Sequence, residues 1–588
     1  QDPRTRRVMS RFVALLGGHP AMRHALLAAA LIVAPPLPAD ARTATAAVSI
    51  PEPLAADAAQ AVLERGGNAV DAAVATAFAL AVTLPDAGNI GGGGFMTLYM
   101  DGEARFLDYR EVAPGAADRD MYLDGQGEPV AEASLVGHRA SGVPGTVAGL
   151  WAAHRRHGEL PWAELLTPAI RLARDGFAAP DWFVAEIRAK EEELSGRTNF
   201  SEHYGDAASG VLFRQTTLAA TLERIARDGA DGFYRGETAR LIVAEMRRGN
   251  GLITAADLEA YAPVWREPLL ADWRDYRIVT APPPSSGGFA IIQYLAMKDV
   301  LADAFANAPH NSAQFVHLKA EIEKRIFADR ASLFGDPAFV DVPMERLLDP
   351  AYLRQRAAEV RRDGPSPTPS VKALPEPMHT THFSILDGDG NAVSNTYTLN
   401  TSFGSGVVVD GAGFLLNNEM DDFSIAPGIP NYYGVVGDEA NAIAPGKRML
   451  SSMAPTLLLD DAGPALVVGA MGGSTIFTTV YQMISNVLDY GMTVTGAQLA
   501  PRVHHQLLPE QLITYSPATP LAPATISDLR GMGYRVEPHF FEFGNVQLIH
   551  VGGNGRITAA ADPRFAGVGR VFTVNTPAAG VSPAAAAR

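Results

Sequence analysis

Between residues 54 and 84 the chain is dense in Ala, Leu and Val, broken by Gly66-Gly67. The pattern predicts two helices, and the second, apolar nearly all round, is one the protein must bury. Helical periodicity returns at 143–157, 161–175, 217–227, 237–248, 313–333 and 350–362, with Gly249-Asn250-Gly251 stopping the fourth of these. The part of the chain before residue 363 is therefore expected to be rich in helix.

Residues 363–379, DGPSPTPSVKALPEPMH, hold five prolines and no apolar period, which predicts an exposed, extended linker. Past it the period shortens to that of strands. THFSILD and AVSNTYTL flank the turn residues GDGN, a hairpin signal. Short strands are expected at 406–409 and 414–416, a long helix at 474–490, and further strands at 547–551 and 556–560. Strands flanked by helices in this order suit layered α/β structure. No repeat period appears, and the low-complexity tail 576–588 is expected to fray.

A chain of 588 residues has room for roughly three to five domains, or fewer large ones, and for a sizeable core. Its 47% hydrophobic and 19% charged residues belong to a globular protein rather than a disordered one. With 48 basic against 64 acidic side chains the net charge is −16, which repels phosphate backbones, so nucleic acid is not an expected partner. The absence of cysteine removes disulfides, thiolate nucleophiles and cysteine-bound zinc.

The apolar run 25–34 follows Met22-Arg23-His24 and stops at Pro35-Pro36. At about ten residues it is half of what a membrane span needs. With the small-residue site Ala39-Asp40-Ala41 it reads as a secretory signal over 22–41, so the protein is expected to be periplasmic or secreted, with no membrane span. A buried helix start is the alternative. Residues 1–21 read as upstream sequence.

No G-x-S-x-G, H-E-x-x-H, G-x-G-x-x-G or phosphate-loop motif occurs. Adjacent His504 and His505 point in different directions on any regular element and suit a structural role better than one metal. Gly91–Gly94 read as close packing or a turn. Thr380 opens a strand straight after the linker, which by itself fits an ordinary β-branched residue.

The ordered segments TTHFSILDGDGNAV, TYTLNTSFG, LLNNEMDDFS, PGKRMLSSMAPT and GGST change that picture, as do GGNAVDAAVA, AGNIGGGGFM, LDYREVAP, GHRASGVPGTVAGL, VWREPL and PPPSSGG upstream. On these motifs the chain resembles the gamma-glutamyltranspeptidase family from about residue 46 to residue 565, with Met471 where the family pattern has proline. The resemblance implies an α/β protein, a four-layer αββα sandwich of the N-terminal nucleophile hydrolase type. It would be made as one precursor that cuts itself between His379 and Thr380. That gives a large subunit, 42–379, and a small catalytic subunit, 380–588, which stay together as a heterodimer.

By the same resemblance Thr380 is the nucleophile and Thr398 orients its hydroxyl, while Gly472 and Gly473 form the oxyanion hole. Arg110, Ser451 and Ser452 would bind the substrate α-carboxylate, and Asn400, Glu419 and Asp422 its α-amino group. Tyr433 would cover the site from the Gly/Pro-rich stretch 427–448. Taken singly these residues also fit blander roles: a surface pair of Arg110 with Glu111, a solvated turn at Asp421-Asp422, a serine cap, an exposed loop tyrosine, a turn ahead of a helix. The implied activity is gamma-glutamyl transfer from glutathione and related compounds to water, an amino acid or a peptide, with no cofactor and no metal. The rivals are a cephalosporin or glutaryl acylase of the same fold and a non-catalytic, uncleaved binding homologue.

Overall fold

The computed structural model describes residues 42–368, 380–426, 429, 431 and 435–576. The expected signal at 22–41, linker residues 369–379 and the tail beyond 576 lie outside them. Glu52 starts the first helix, Pro53–Glu64, by accepting hydrogen bonds from the amides of Leu54 and Ala55 at 3.0 and 2.9 Å. Asn68 and Asp71 form a capping box on the next, Ala69–Thr83. Every residue of that second helix is buried, as its all-round apolar surface requires. The Tyr397 hydroxyl donates to its Ala77 carbonyl at 2.9 Å, which seats the helix against the expected hairpin.

That hairpin pairs Thr381–Leu386 with Ala392–Thr398, from Leu386 opposite Ala392 at the turn to Thr381 opposite Tyr397 at the open end. Asp387 accepts the amides of Asp389 and Asn391, both at 2.9 Å, and Gly390 takes the left-handed φ of +85° that closes the turn. The hairpin is central in a seven-stranded sheet. In spatial order its strands are Val568–Thr576, Arg42–Ile50, the two hairpin strands, Gly93–Met100, Glu103–Tyr109 and Val264–Arg266.

A six-stranded sheet runs Ile557–Ala561, Val546–Val551, Gly463–Ala470, Thr456–Asp460, Tyr276–Thr280, Leu269–Trp273. The two sheets meet through Ala47, Leu386, Ala392, Val279, Leu457, Val467 and Ile549. Ser394 Oγ donates across to the Val468 carbonyl at 3.1 Å. Helices Gly287–Val300, Ala313–Leu333 and Thr475–Leu488 share a core with the second sheet.

The glycines 91–94 are close-packing positions, as expected. A Cβ on Gly91 would stand 1.9 Å from the Leu415 carbonyl oxygen, and one on Gly92 2.0 Å from that of Thr398. One expectation needs correction. Residues 406–409 and 414–416 are not strands; one bridge, Val408 to Leu415, joins them, because Gly404, Gly406, Gly411 and Gly413 adopt left-handed φ of +55° to +77° and break each extended run. Of the expected linker, residues 363–368 are described; they lie outside helix and strand, and Ser366 is held in place. Glu321 accepts from the Ser366 amide and hydroxyl at 3.0 and 2.5 Å, and Lys324 donates to the Ser366 carbonyl at 2.6 Å.

Burial acts to raise the Glu321 pKa, but the bonds from Ser366, Lys324 and Arg325 outweigh it and hold it down to about 2 from 4.5. A depressed carboxylate adds stability that is present above its unfolded value and is lost as pH falls through the folded one. In urea titrations, the stability advantage of the parent over Glu321→Gln is expected to shrink as pH falls from 4.5 toward 2. A constant difference across that window would contradict the linkage.

Candidate active site

The open end of the hairpin sets Thr380 beside Thr398, and the Thr380 hydroxyl donates to Thr398 Oγ1 at 3.3 Å. Thr398 Oγ1 also accepts the Asn400 amide at 2.8 Å. Asn400 sits at a left-handed φ of +81°, and its side-chain amide donates to the Asn418 carbonyl at 3.0 Å. That ties the hairpin end to the short turn Glu419–Asp422. Asn417 fixes the same turn from behind, donating to the carbonyls of Gly91 and Gly142 at 2.8 and 2.9 Å.

Arg110, at the end of the strand Glu103–Tyr109, reaches this turn from the other side. Its Nη1 lies 2.6 Å from Glu419 and 3.6 Å from Glu111, and its Nη2 pairs with Asp422. Arg110, Glu111 and Glu419 are sealed from solvent, whereas Asp422 keeps 13% of its side chain open. The surface-pair and solvated-turn alternatives therefore fail. Burial pushes Glu111 up to about 8 and raises Glu419 and Asp422 from the usual carboxylate range, with the Arg110 charge opposing all three. Burial works to lower the Arg110 pKa, but Glu419, Asp422 and Glu111 more than reverse that, so the guanidinium stays charged.

Facing them, the Ser451–Ser452 segment docks on the start of the helix Gly287–Val300. The Ser286 amide and hydroxyl donate to the Ser451 carbonyl at 2.8 and 2.9 Å, and Ser451 Oγ accepts the Met453 amide at 3.1 Å. Gly472 and Gly473, with φ of +131° and +50°, lead into the helix Thr475–Leu488, and their carbonyls accept its first amides, those of Thr475 and Ile476, at 2.9 and 3.1 Å. Thr380, Thr398, Arg110, Asn400, Glu419, Asp422, Ser451, Ser452 and Gly473 line one cleft of about 320 Å³, solvent space included, and Gly472 adjoins it. Tyr433 and His379 lie outside the described residues. His504 and His505 are structural: their ring nitrogens bond to Thr478, Gln506 and the Leu512 carbonyl.

A family model described as gamma-glutamyltranspeptidase matches residues 55–572. The chain belongs to the gamma-glutamyltranspeptidase family. A glutathione hydrolase proenzyme of Pseudomonas aeruginosa is 55% identical over 525 residues, 89% of this chain and 94% of that protein. A solved gamma-glutamyltranspeptidase from Pseudomonas nitroreducens, complexed with L-DON, is 53% identical with a TM-score of 0.53, covering 54% of this chain and 95% of its own. The cephalosporin acylase from Bacillus halodurans is 27% identical with a TM-score of 0.78, covering 92% of this chain and 98% of its own.

In this member of the gamma-glutamyltranspeptidase family the cleft also contains residues that sequence reading passed over: Arg330, Asn431, Val435, Met453 and Ile476. Asn431 donates to Asp422 at 3.0 Å. Arg330 sits near the end of the helix Ala313–Leu333, where a charge among other charges carries no sequence signal of burial. Replacing Arg110 by Met would strand Glu111, Glu419 and Asp422 in a low-dielectric site. Urea denaturation near neutrality is expected to show a loss of about 3–5 kcal/mol. The deficit narrows in mild acid, where the carboxylates take up protons; the same deficit at both pH values would contradict the assigned ion cluster.

Proposed function

We propose that this protein is a gamma-glutamyltransferase and glutathione hydrolase, made as a precursor that cuts itself between His379 and Thr380. In this reading 42–379 and 380–588 are the two subunits of one four-layer αββα sandwich, and 22–41 directs export to the periplasm or beyond. The observation that carries the reading is the 3.3 Å contact of Thr380 Oγ1 with Thr398 Oγ1 in the same cleft as Arg110 and Asp422. The match of one Pseudomonas nitroreducens chain, 95% of it, to 54% of this chain supports the cut, since a single subunit of a processed precursor would align that way.

In the precursor, the Thr380 hydroxyl attacks the His379 carbonyl, the peptide becomes an ester, and water releases it. The freed α-amine, with an unperturbed pKa of about 7.7–8.0, is a base poised near neutrality. It takes the hydroxyl proton as Thr380 Oγ1 attacks the γ-carbonyl of a γ-glutamyl amide. Thr398 orients that hydroxyl. The backbone N–H groups of Gly472 and Gly473 face the tetrahedral oxygen, each donor worth about 3–4 kcal/mol in such a role. The leaving amine departs and a γ-glutamyl ester on Thr380 passes to water, an amino acid or a peptide.

The substrate's charges select the donor. Arg110 with Ser451 and Ser452 takes the α-carboxylate, while Asp422, Glu419 and Asn400 take the α-ammonium. Arg110 and Asp422 are paired with each other before substrate arrives, so a zwitterion replaces one internal ion pair by two. The likeness to a cephalosporin acylase favours a second reading in which the acyl group carries no amine. Asp422 open to the cleft speaks against it, because such a substrate would leave that carboxylate without a cation.

On a denaturing gel, purified parent protein is expected to run as two bands and Thr380→Ala as one uncut, inactive chain. Cleavage and turnover in the variant would rule out this nucleophile. For substrate class, Asp422→Ala is expected to cost γ-glutamyl substrates about 2–5 kcal/mol of transition-state binding while hardly affecting glutaryl analogues. Comparable kcat/KM for the two substrates in the parent would favour the acylase.

A further inference from the structure

The helix Ala313–Leu333 is buried along most of its length in spite of its charges, and it neutralises nearly all of them. Lys319 meets Glu323 at 2.5 Å, Lys324 and Arg325 each meet Glu321 at 3.1 Å, and Asp329 meets Arg356 at 3.0 Å. Arg330 is the exception. It is 6% exposed, and among the described residues no carboxylate oxygen lies within 4.0 Å of it. Its partners are hydroxyls: Nε donates to Ser286 Oγ at 2.9 Å and Nη2 to Ser452 Oγ at 3.4 Å. It opens onto the cleft beside Ser451, Ser452 and Thr380.

A buried guanidinium without a counter-ion is an unfavourable arrangement that an incoming anion would complete. Burial pushes its pKa down to about 10, with the field of Asp422 opposing that fall, so it is a cation at neutral pH. Arg110, by contrast, is already in direct contact with counter-ions, Glu419 and Asp422, with Glu111 behind them. The positive charge not yet matched in this cleft therefore belongs to Arg330. Its two bonds also brace the serine segment, because Ser286 Oγ, which accepts from Arg330, donates to the Ser451 carbonyl at 2.9 Å.

We propose that Arg330 is a positioning residue for the substrate α-carboxylate: by donating to Ser452 Oγ it turns that hydroxyl's own proton toward the cleft, and its charge favours an anion there. The inference rests on reading the Thr380 cleft as a γ-glutamyl site. It separates two jobs in the ion cluster. Arg110 holds the carboxylate side against the acidic turn, and Arg330 sets the hydroxyl that completes it.

The test compares three p-nitroanilides, γ-glutamyl, glutaryl (no amine) and 4-aminobutyryl (no carboxylate), on the processed enzyme. Arg330→Gln is expected to lose about tenfold or more in kcat/KM, chiefly through KM, on the two that carry the carboxylate. The 4-aminobutyryl anilide is expected to change less than about twofold, the carboxylate being absent. Equal losses on all three, or a loss that follows the amine, would overturn the proposal. Arg330→Lys keeps the charge and is expected to lie between, with the same ordering, and it carries the test if the Gln variant does not fold. In a Ser452→Ala background Arg330→Gln should cost less than in the parent; an undiminished cost would overturn the route through Ser452. If the parent is inactive on the γ-glutamyl anilide, or Thr380→Ala hydrolyses it, the functional reading itself fails. An active, Thr380-dependent parent without the three-substrate pattern refutes only the role of Arg330.

Discussion

At the open end of the central hairpin Tyr397 pairs with Thr381, and from that register the rest of the site follows. It sets residue 380 against residue 398 across the sheet, so two hydroxyls 18 positions apart in sequence meet at 3.3 Å. A slip of one residue would turn every side chain of the strand to the opposite face. The protein guards against this from both sides. Tyr397 is anchored on the Ala69–Thr83 helix, and Gly92, just ahead of the neighbouring strand Gly93–Met100, packs so closely on the Thr398 carbonyl that a Cβ there would stand 2.0 Å from its oxygen.

Around that fixed point the site is an electrostatic arrangement built from largely buried side chains. Three acidic groups, Glu111, Glu419 and Asp422, surround one guanidinium, and a second guanidinium, Arg330, stands across from them bonded to hydroxyls. Under the proposed function an incoming zwitterion would bring this cluster an anion for its guanidinium groups and a cation for Asp422. The same low dielectric that makes the cluster expensive to strand makes it selective for a ligand that completes it.

Much of this was legible in the sequence. The hairpin was, because GDGN between two β-rich runs is a turn with a mechanism. The buried second helix was, because past Asp71 in its first turn no charged residue marks any of its faces. The site residues became readable through ordered motifs and not one by one, since an Arg-Glu dipeptide or a pair of serines has no chemistry until the topology brings residue 110 to residue 422. Other features were hidden for physical reasons. The helix Gly287–Val300 starts with two glycines after a proline run and is apolar on most sides, so it lacks a clear amphipathic period. The runs at 406–416 look like strands in side-chain type, but their glycines take conformations that no strand allows. Arg330 was hidden because a charge on a charge-rich helix reads as solvated until the packing buries it.

The proposed function turns on Thr380 Oγ1 as the nucleophile of an acyl transfer. The most direct measurement is the mass of the Thr380 peptide after the processed enzyme is mixed with a γ-glutamyl donor, quenched in acid within a turnover and digested. A peptide starting at Thr380 is expected to gain the mass of one γ-glutamyl group, borne as an ester that alkali or hydroxylamine removes. Donor turnover with that peptide unmodified, or with the acyl group on another residue, would contradict it.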